Sequence, residues 1–199
     1  VPDWIIIPVG GGGTLASVWR AFQDLRSLGL IDRLPKLAGV QPAAYNALRI
    51  AEERGLSNDD ELRAISFPET PPTLLVKLQH TYPYDGAEAL AAIRASGGAV
   101  AVASDAQAIE AVFRIGSSDG IYAEPSSTVV LPAIEWLVSE GHIQRGESVV
   151  AVLTGAGHRE THALIDCYPL HVERVTRESG LDRLAAYLSS DTVAPERTR

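Results

Sequence analysis

The sequence predicts an α/β protein, a mostly parallel sheet with helices on both faces, and three observations lead there. Trp4-Ile5-Ile6-Ile7-Pro8-Val9, Ala99 to Ala103 and Ser148 to Leu153 are apolar runs without polar alternation, the pattern of strands covered on both faces. Between such runs apolar residues recur at helical spacing, as in Leu15, Val18, Trp19 and Phe22. Strand and helix alternate along the chain, and parallel strands need crossovers of that kind.

Taken in order, the first strand leads through a glycine loop straight into the first helix. Leu37 to Gln41 is a second strand, and Ala43 to Glu53 a helix ending near Gly55. Ser57 to Thr73 is polar and then proline-rich, a surface excursion. Thr73 to Leu78 reads as a strand, and Asp85 to Ala95 as a helix broken by Gly97-Gly98. After the Ala99–Ala103 strand, Ser104 and Gln107 stand at capping-box spacing before a helix carrying Ile109, Val112 and Phe113. Ile121 to Glu124 is a short extended piece. Pro125 then opens a helix expected to run to Glu140, to kink at Pro132 and to stop at Gly141.

Composition narrows the function classes. Of 199 residues, 17 are basic and 25 acidic, a net charge of −8 without a basic cluster, so nucleic acid and acidic membrane surfaces are poor partners. A small-molecule ligand is expected instead. Cys167 is the single cysteine, which excludes an internal disulfide framework, and no apolar run approaches the ~20 residues of a membrane span. A reducing, cytoplasmic setting follows. Methionine is absent and Val1 to Val9 reads as buried strand rather than leader, so we expect the chain to begin in mid-fold, as part of a longer polypeptide or of a split subunit. We expect residues 1–165 to belong to one large domain, 166–192 to form a helical extension, and 193–199 to be a disordered tail.

Gly10, Gly11, Gly12 and Gly13 stand in a row between strand and helix. Each costs roughly 0.5–1 kcal/mol relative to Ala in a regular element. Such a loop aims several N–H groups at one spot beside the positive end of a helix dipole, which suits phosphate. A tight turn alone would use one or two such residues. No lysine follows the loop, so it is not the nucleoside-triphosphate type. It also fits a dinucleotide fingerprint poorly, because Leu15 stands at the third glycine position and Gln41, not an acid, ends the second strand.

IIIPVGGGGTLASVW, SDGIYAEPSSTVV and VVAVLTGAG, in that order, resemble the later part of the fold type II pyridoxal-phosphate enzymes, the class built like the tryptophan synthase β subunit, with threonine synthases the nearest group. The resemblance covers the chain to about Leu164. It implies that Gly10, Gly11, Gly12, Gly13 and Thr14 bind the phosphate of pyridoxal 5'-phosphate and that Thr154 faces its pyridine nitrogen. Read locally, Thr154 is equally a helix N-cap. Glu124 matches the family's acidic residue near the site rim, and a capping or surface carboxylate is the alternative. His80, His158 and His162 read as surface histidines, Ser126-Ser127 as a helix start, and no pair has metal-ligand spacing.

The family's chemistry is elimination or replacement at Cβ or Cγ of an amino acid, O-phosphohomoserine to threonine being the synthase case. It needs a lysine bonded to the cofactor aldehyde. Lys36 and Lys77 are the only lysines, neither falls on the family's position, and both read as solvated. The catalytic residues are therefore not identifiable here, and the chain alone is expected to be inactive, its lysine coming from an N-terminal half or a partner chain. A homodimer is expected for the complete protein. An all-glycine loop is more typical of serine and threonine dehydratases, which stay open beside a non-catalytic phosphate-ligand module and a nicotinamide-binding fragment.

Overall fold

Ile5 and Ile7 point to one face of the sheet, Trp4 and Ile6 to the other, and all four are buried. This is the two-sided burial that an unbroken apolar strand demands. The structure is a computed structural model that describes residues 1–65, 67, 71–161, 164 and 180–189. Its strands are β1 (Trp4–Pro8), β2 (Lys36–Pro42), β3 (Ala99–Ala103) and β4 (Val149–Ala151). They lie in the order β3-β2-β1-β4, and every pairing is parallel.

Helices cover both faces, as the sequence predicts. On one, α1 (Gly13–Ser27), α2 (Ala47–Arg54) and α4 (Gly86–Ser96) pack Leu15, Trp19, Leu48, Leu90 and Ile93 against Ile5, Ile7 and Leu37. On the other, Val130, Ala133 and Leu137 of α7 (Val130–Ser139) and Ala108 of α5 (Asp105–Asp119) meet Trp4, Ile6, Ala38 and Val40. A short α3 (Asp59–Arg63) interrupts the polar stretch expected to be a loop. Its capping box is complete: Asn58 accepts from the Glu61 N–H, and the Glu61 carboxylate accepts from the Asn58 N–H. The capping box at Ser104 and Gln107 also forms.

Four expected elements differ. Ser148 to Leu153, expected as a strand covered on both faces, is strand only over Val149–Ala151 and lies at the sheet edge, with Val150 exposed. Thr73 to Leu78 is not a strand: Thr73 Oγ1 and the Leu74 N–H both donate to the Asp105 carboxylate at 2.7 Å, which anchors this segment to the start of α5, and Val76–Leu78 closes a 3₁₀ turn. The helix expected from Ala43 begins at Ala47, because the Tyr45 N–H turns back to the Pro42 carbonyl. The single helix from Pro125 to Glu140 is two, α6 (Pro125–Thr128) and α7, meeting at Val129. Pro132 thereby falls in the first turn of α7, where a missing N–H breaks no helical bond.

The chain forms two compact units, Val1–Leu164 and Ile165–Arg199. In the second, the described residues form α8 (Gly180–Ser189). Cys167, His162 and the tail from Val193 lie outside the described residues. Among the described residues no helix is long and apolar enough to cross a membrane.

Candidate functional site

The chain leaves β1 to cross to β2 on one side, while β4 pairs with β1 on the other. A crevice outside the carboxyl ends of the strands at such a reversal is where α/β sheets bind ligands. The glycine loop follows β1 into it, and Thr154 lies just beyond β4. There Gly10–Thr14, Lys77, Ser126 and Thr154 line a cavity of about 310 Å³, the lower end of the ~300–1,000 Å³ typical of small-molecule sites.

The loop is bare for two separate reasons. A side chain on Gly10 would stand 2.7 Å from the His80 ring, and one on Gly13 2.7 Å from Asp85 Oδ2. Gly12, at φ +101°, would put its Cβ 2.6 Å from the Asp85 carbonyl. Gly10 and Gly12 are closed by the 77–85 segment packed on the loop, which the Asp85 N–H secures by donating to the Gly11 carbonyl at 2.8 Å, whereas at Gly13 only the exposed and movable Asp85 carboxylate stands close. Gly11 differs: a Cβ there would meet nothing nearer than His80 Cε1 at 3.9 Å, and its φ is not positive. Packing gives no reason for a glycine there.

Electrostatics favours an anion. Gly12 caps α1 without a side-chain hydrogen bond, and the first turn holds no acidic residue. The N–H groups of Gly10 to Thr14 find no protein acceptor among the described residues. Unpaired donors at the N-terminus of a fifteen-residue helix attract negative charge. No group of three His, Cys, Asp or Glu among the described residues is placed to hold a metal.

At the other end, Thr154 is exposed and caps nothing, since the following 3₁₀ turn (Gly157–Arg159) has Ala156 at its N-cap. Glu124 is neither a side-chain cap nor a surface group: it is 3% exposed at the start of α6, and its Oε2 has no hydrogen-bond partner. Burial, and then the charge of Glu160, raise its pKa above the ordinary carboxylate value, while Arg159 at 4.0 Å acts in the opposite direction. Ser126 starts a helix as expected and also reaches the cavity, its N–H and Oγ donating to the buried Glu160 carboxylate at 3.2 and 3.0 Å. His158 is exposed, and His80 packs on the loop and edge-on to Tyr84.

Of the two lysines, Lys36 stands at the amino end of β2, paired with Glu147 at 3.6 Å and lying over the Trp4 ring. Lys77, which reads from sequence as merely solvated, is exposed but lines the cavity beside the glycines. Nothing local in TLLVKLQH signals this, because the placement comes from the packing of the 77–85 segment on the loop.

The family described as "Pyridoxal-phosphate dependent enzyme" matches residues 1–155. Threonine synthase of Methanocaldococcus jannaschii is 32% identical over 165 residues, covering 83% of this chain and 39% of the relative. Threonine synthase of Mycobacterium tuberculosis is 27% identical over 168 residues, covering 84% of this chain and 43% of the relative. Among solved structures, threonine deaminase isoform 2 of Solanum lycopersicum superposes with a TM-score of 0.63 at 18% identity, over 85% of this chain and 45% of that one. The chain thus spans about two fifths of the length of the curated relatives it matches. Its fold is the tryptophan synthase β-like α/β fold that the threonine deaminases share, and the chain belongs to the family of pyridoxal-phosphate-dependent enzymes.

Proposed function

We propose that this chain provides the phosphate-binding and ring-nitrogen side of a threonine-synthase-like enzyme that converts a phosphorylated amino acid by elimination and replacement at Cβ and Cγ. The observation carrying this reading is the cavity that joins the unpaired N–H groups of Gly10–Thr14 to the Thr154 hydroxyl. Donors at one end and a neutral hydroxyl at the other fit a flat pyridine bearing a phosphate. Gly10 to Thr14 hold the phosphate, and Thr154 meets the ring nitrogen with a group that can donate or accept but carries no charge. Bound there, the cofactor ring supplies an electron sink for negative charge at the substrate Cα.

The chain's own residues bind and orient. The Glu124 N–H and Ser127 Oγ both donate to the Gly155 carbonyl, at 3.0 and 3.2 Å, and so fix the backbone next to Thr154. Ser126 closes the wall between the two ends. Lys36 is at the wrong end of the sheet, and Lys77 lies on the glycine side of the cavity. The lysine that bonds the cofactor aldehyde is therefore assigned to residues outside this sequence, in the same large domain or on a partner chain, within a cytoplasmic, homodimeric enzyme. Residues 1–165 act as the later part of the cofactor domain and 166–192 as an extension.

A dehydratase is the second reading, favoured by the all-glycine loop and by the likeness to threonine deaminases. Two assays separate them: phosphate and threonine released from O-phosphohomoserine, and 2-oxo acid released from threonine or serine. The chain should do neither alone and should release phosphate and threonine once a lysine-bearing segment is supplied. Release of 2-oxo acid instead establishes the dehydratase, and turnover by the chain alone contradicts the external lysine.

A further inference from the structure

The glycine loop offers dipoles but no full charge. A phosphate monoester carries about −1.5 to −2 near neutral pH, against roughly +0.5 at a helix N-terminus. Carboxylates stand nearby as well: Asp85 Oδ2 lies 2.7 Å from where a Gly13 side chain would begin, and Glu124 lies against Gly155. A full positive charge beside those dipoles would strengthen the hold on an anion. Among the described residues lining the cavity, Lys77 is the one cation.

Lys77 is well placed for that task. Its carbonyl lies 3.1 Å from the position of a Gly10 Cβ, so its side chain springs from the loop's own packing partner. Lys36 is paired with Glu147, whereas Lys77 has no carboxylate within ion-pair distance among the described residues.

We propose that Lys77 is the anion-binding cation of this pocket, its ammonium taking a phosphate monoester together with the N–H groups of the glycine loop. The proposal rests on reading the cavity as the phosphate-cofactor site. The phosphoryl group is the cofactor's own or that of a phosphorylated amino-acid substrate, and both present the same chemistry to an ammonium.

The test titrates the wild-type chain, Lys77→Gln and Lys77→Arg with pyridoxal phosphate by calorimetry, and then titrates inorganic phosphate into the pyridoxal-phosphate-saturated proteins, each at low and high salt. Lys77→Gln should weaken one of the two ligands about ten- to hundredfold, the worth of a hydrogen bond to a charged group. It should also flatten that ligand's salt dependence, and Lys77→Arg should keep most of the affinity. Weakened pyridoxal phosphate assigns Lys77 to the cofactor phosphate; weakened inorganic phosphate alone assigns it to a substrate phosphoryl group. Wild-type behaviour of Lys77→Gln towards both ligands overturns the proposal and leaves the cavity reading standing. Lys77→Arg as weak as Lys77→Gln also overturns it, because charge would then not be what the anion reads. A wild-type chain that binds no pyridoxal phosphate overturns the cavity reading itself, and this shows before any variant is compared.

Discussion

Glu124 and Gly155 fit together as a pair: the Glu124 N–H donates to the Gly155 carbonyl at 3.0 Å, and the Glu124 carboxylate fills the space a Gly155 side chain would need. Gly155 directly follows Thr154, so this contact sets where the Thr154 hydroxyl stands. Gly155→Ala should drive the carboxylate aside, lower stability by roughly 1–3 kcal/mol, as overpacking does, and weaken pyridoxal phosphate binding. A melting curve and a cofactor titration on the one variant check both effects. Unchanged values for both would mean the pair does not position Thr154.

The same carboxylate makes a pH prediction. Burial raises the Glu124 pKa above its unfolded value, so its contribution is most favourable at low pH and is lost as pH rises through the folded pKa. Glu124→Gln keeps the shape and removes the charge. Its stability relative to wild type should therefore be higher at pH 8 than at pH 5, read from urea midpoints at the two pH values. A relative stability that is lower at pH 8 than at pH 5 would show that the Arg159 ion pair outweighs burial.

Asp3 behaves in the opposite sense. The Ser148 N–H and Oγ each donate to its Oδ2 at 2.7 Å, and Arg33 donates to Oδ1 at 2.5 Å. These bonds, Ser148 first, hold its pKa well below the usual carboxylate range. The stability they give is full above the unfolded value of about 3.9 and is lost as pH falls below it. Asp3→Asn should be less stable than wild type at pH 7, with the gap narrowing as the pH drops below about 4. A gap independent of pH would assign the loss to geometry rather than charge.

The legible parts of the fold are the local ones. β1 and β3 announce themselves by unbroken apolar runs, the Ser104–Gln107 box by its spacing, and the loop between β1 and α1 by four glycines. The Asn58–Glu61 box was equally legible but lay inside a stretch whose polarity and prolines point to a loop. Thr73 to Leu78 has the apolar content of a strand, but the Asp105 carboxylate, which holds it off the sheet, is distant in sequence. Sequence places Lys77 in solvent and leaves Glu124 open between site rim and surface, because cavity placement and burial are set by long-range packing, and a one-dimensional pattern carries neither. Packing also accounts for Gly10 and Gly12, so the glycine run overstates how many of its members a ligand requires.

Gly11 is therefore the cleanest probe of the central claim, that the glycine loop binds the phosphate of pyridoxal phosphate. Its Cβ position is open and its φ is not positive, so Gly11→Asp should melt within about 1 kcal/mol of wild type, as an unstrained substitution that breaks no packing does. The same variant brings a carboxylate to the unpaired N–H groups, where it both crowds and repels a phosphate. Titrating pyridoxal phosphate into wild type and Gly11→Asp, with melting curves on both, should show a variant that folds normally and binds the cofactor at least tenfold more weakly, a loss of about 1.4 kcal/mol or more. A normally folded Gly11→Asp with wild-type affinity would contradict the account.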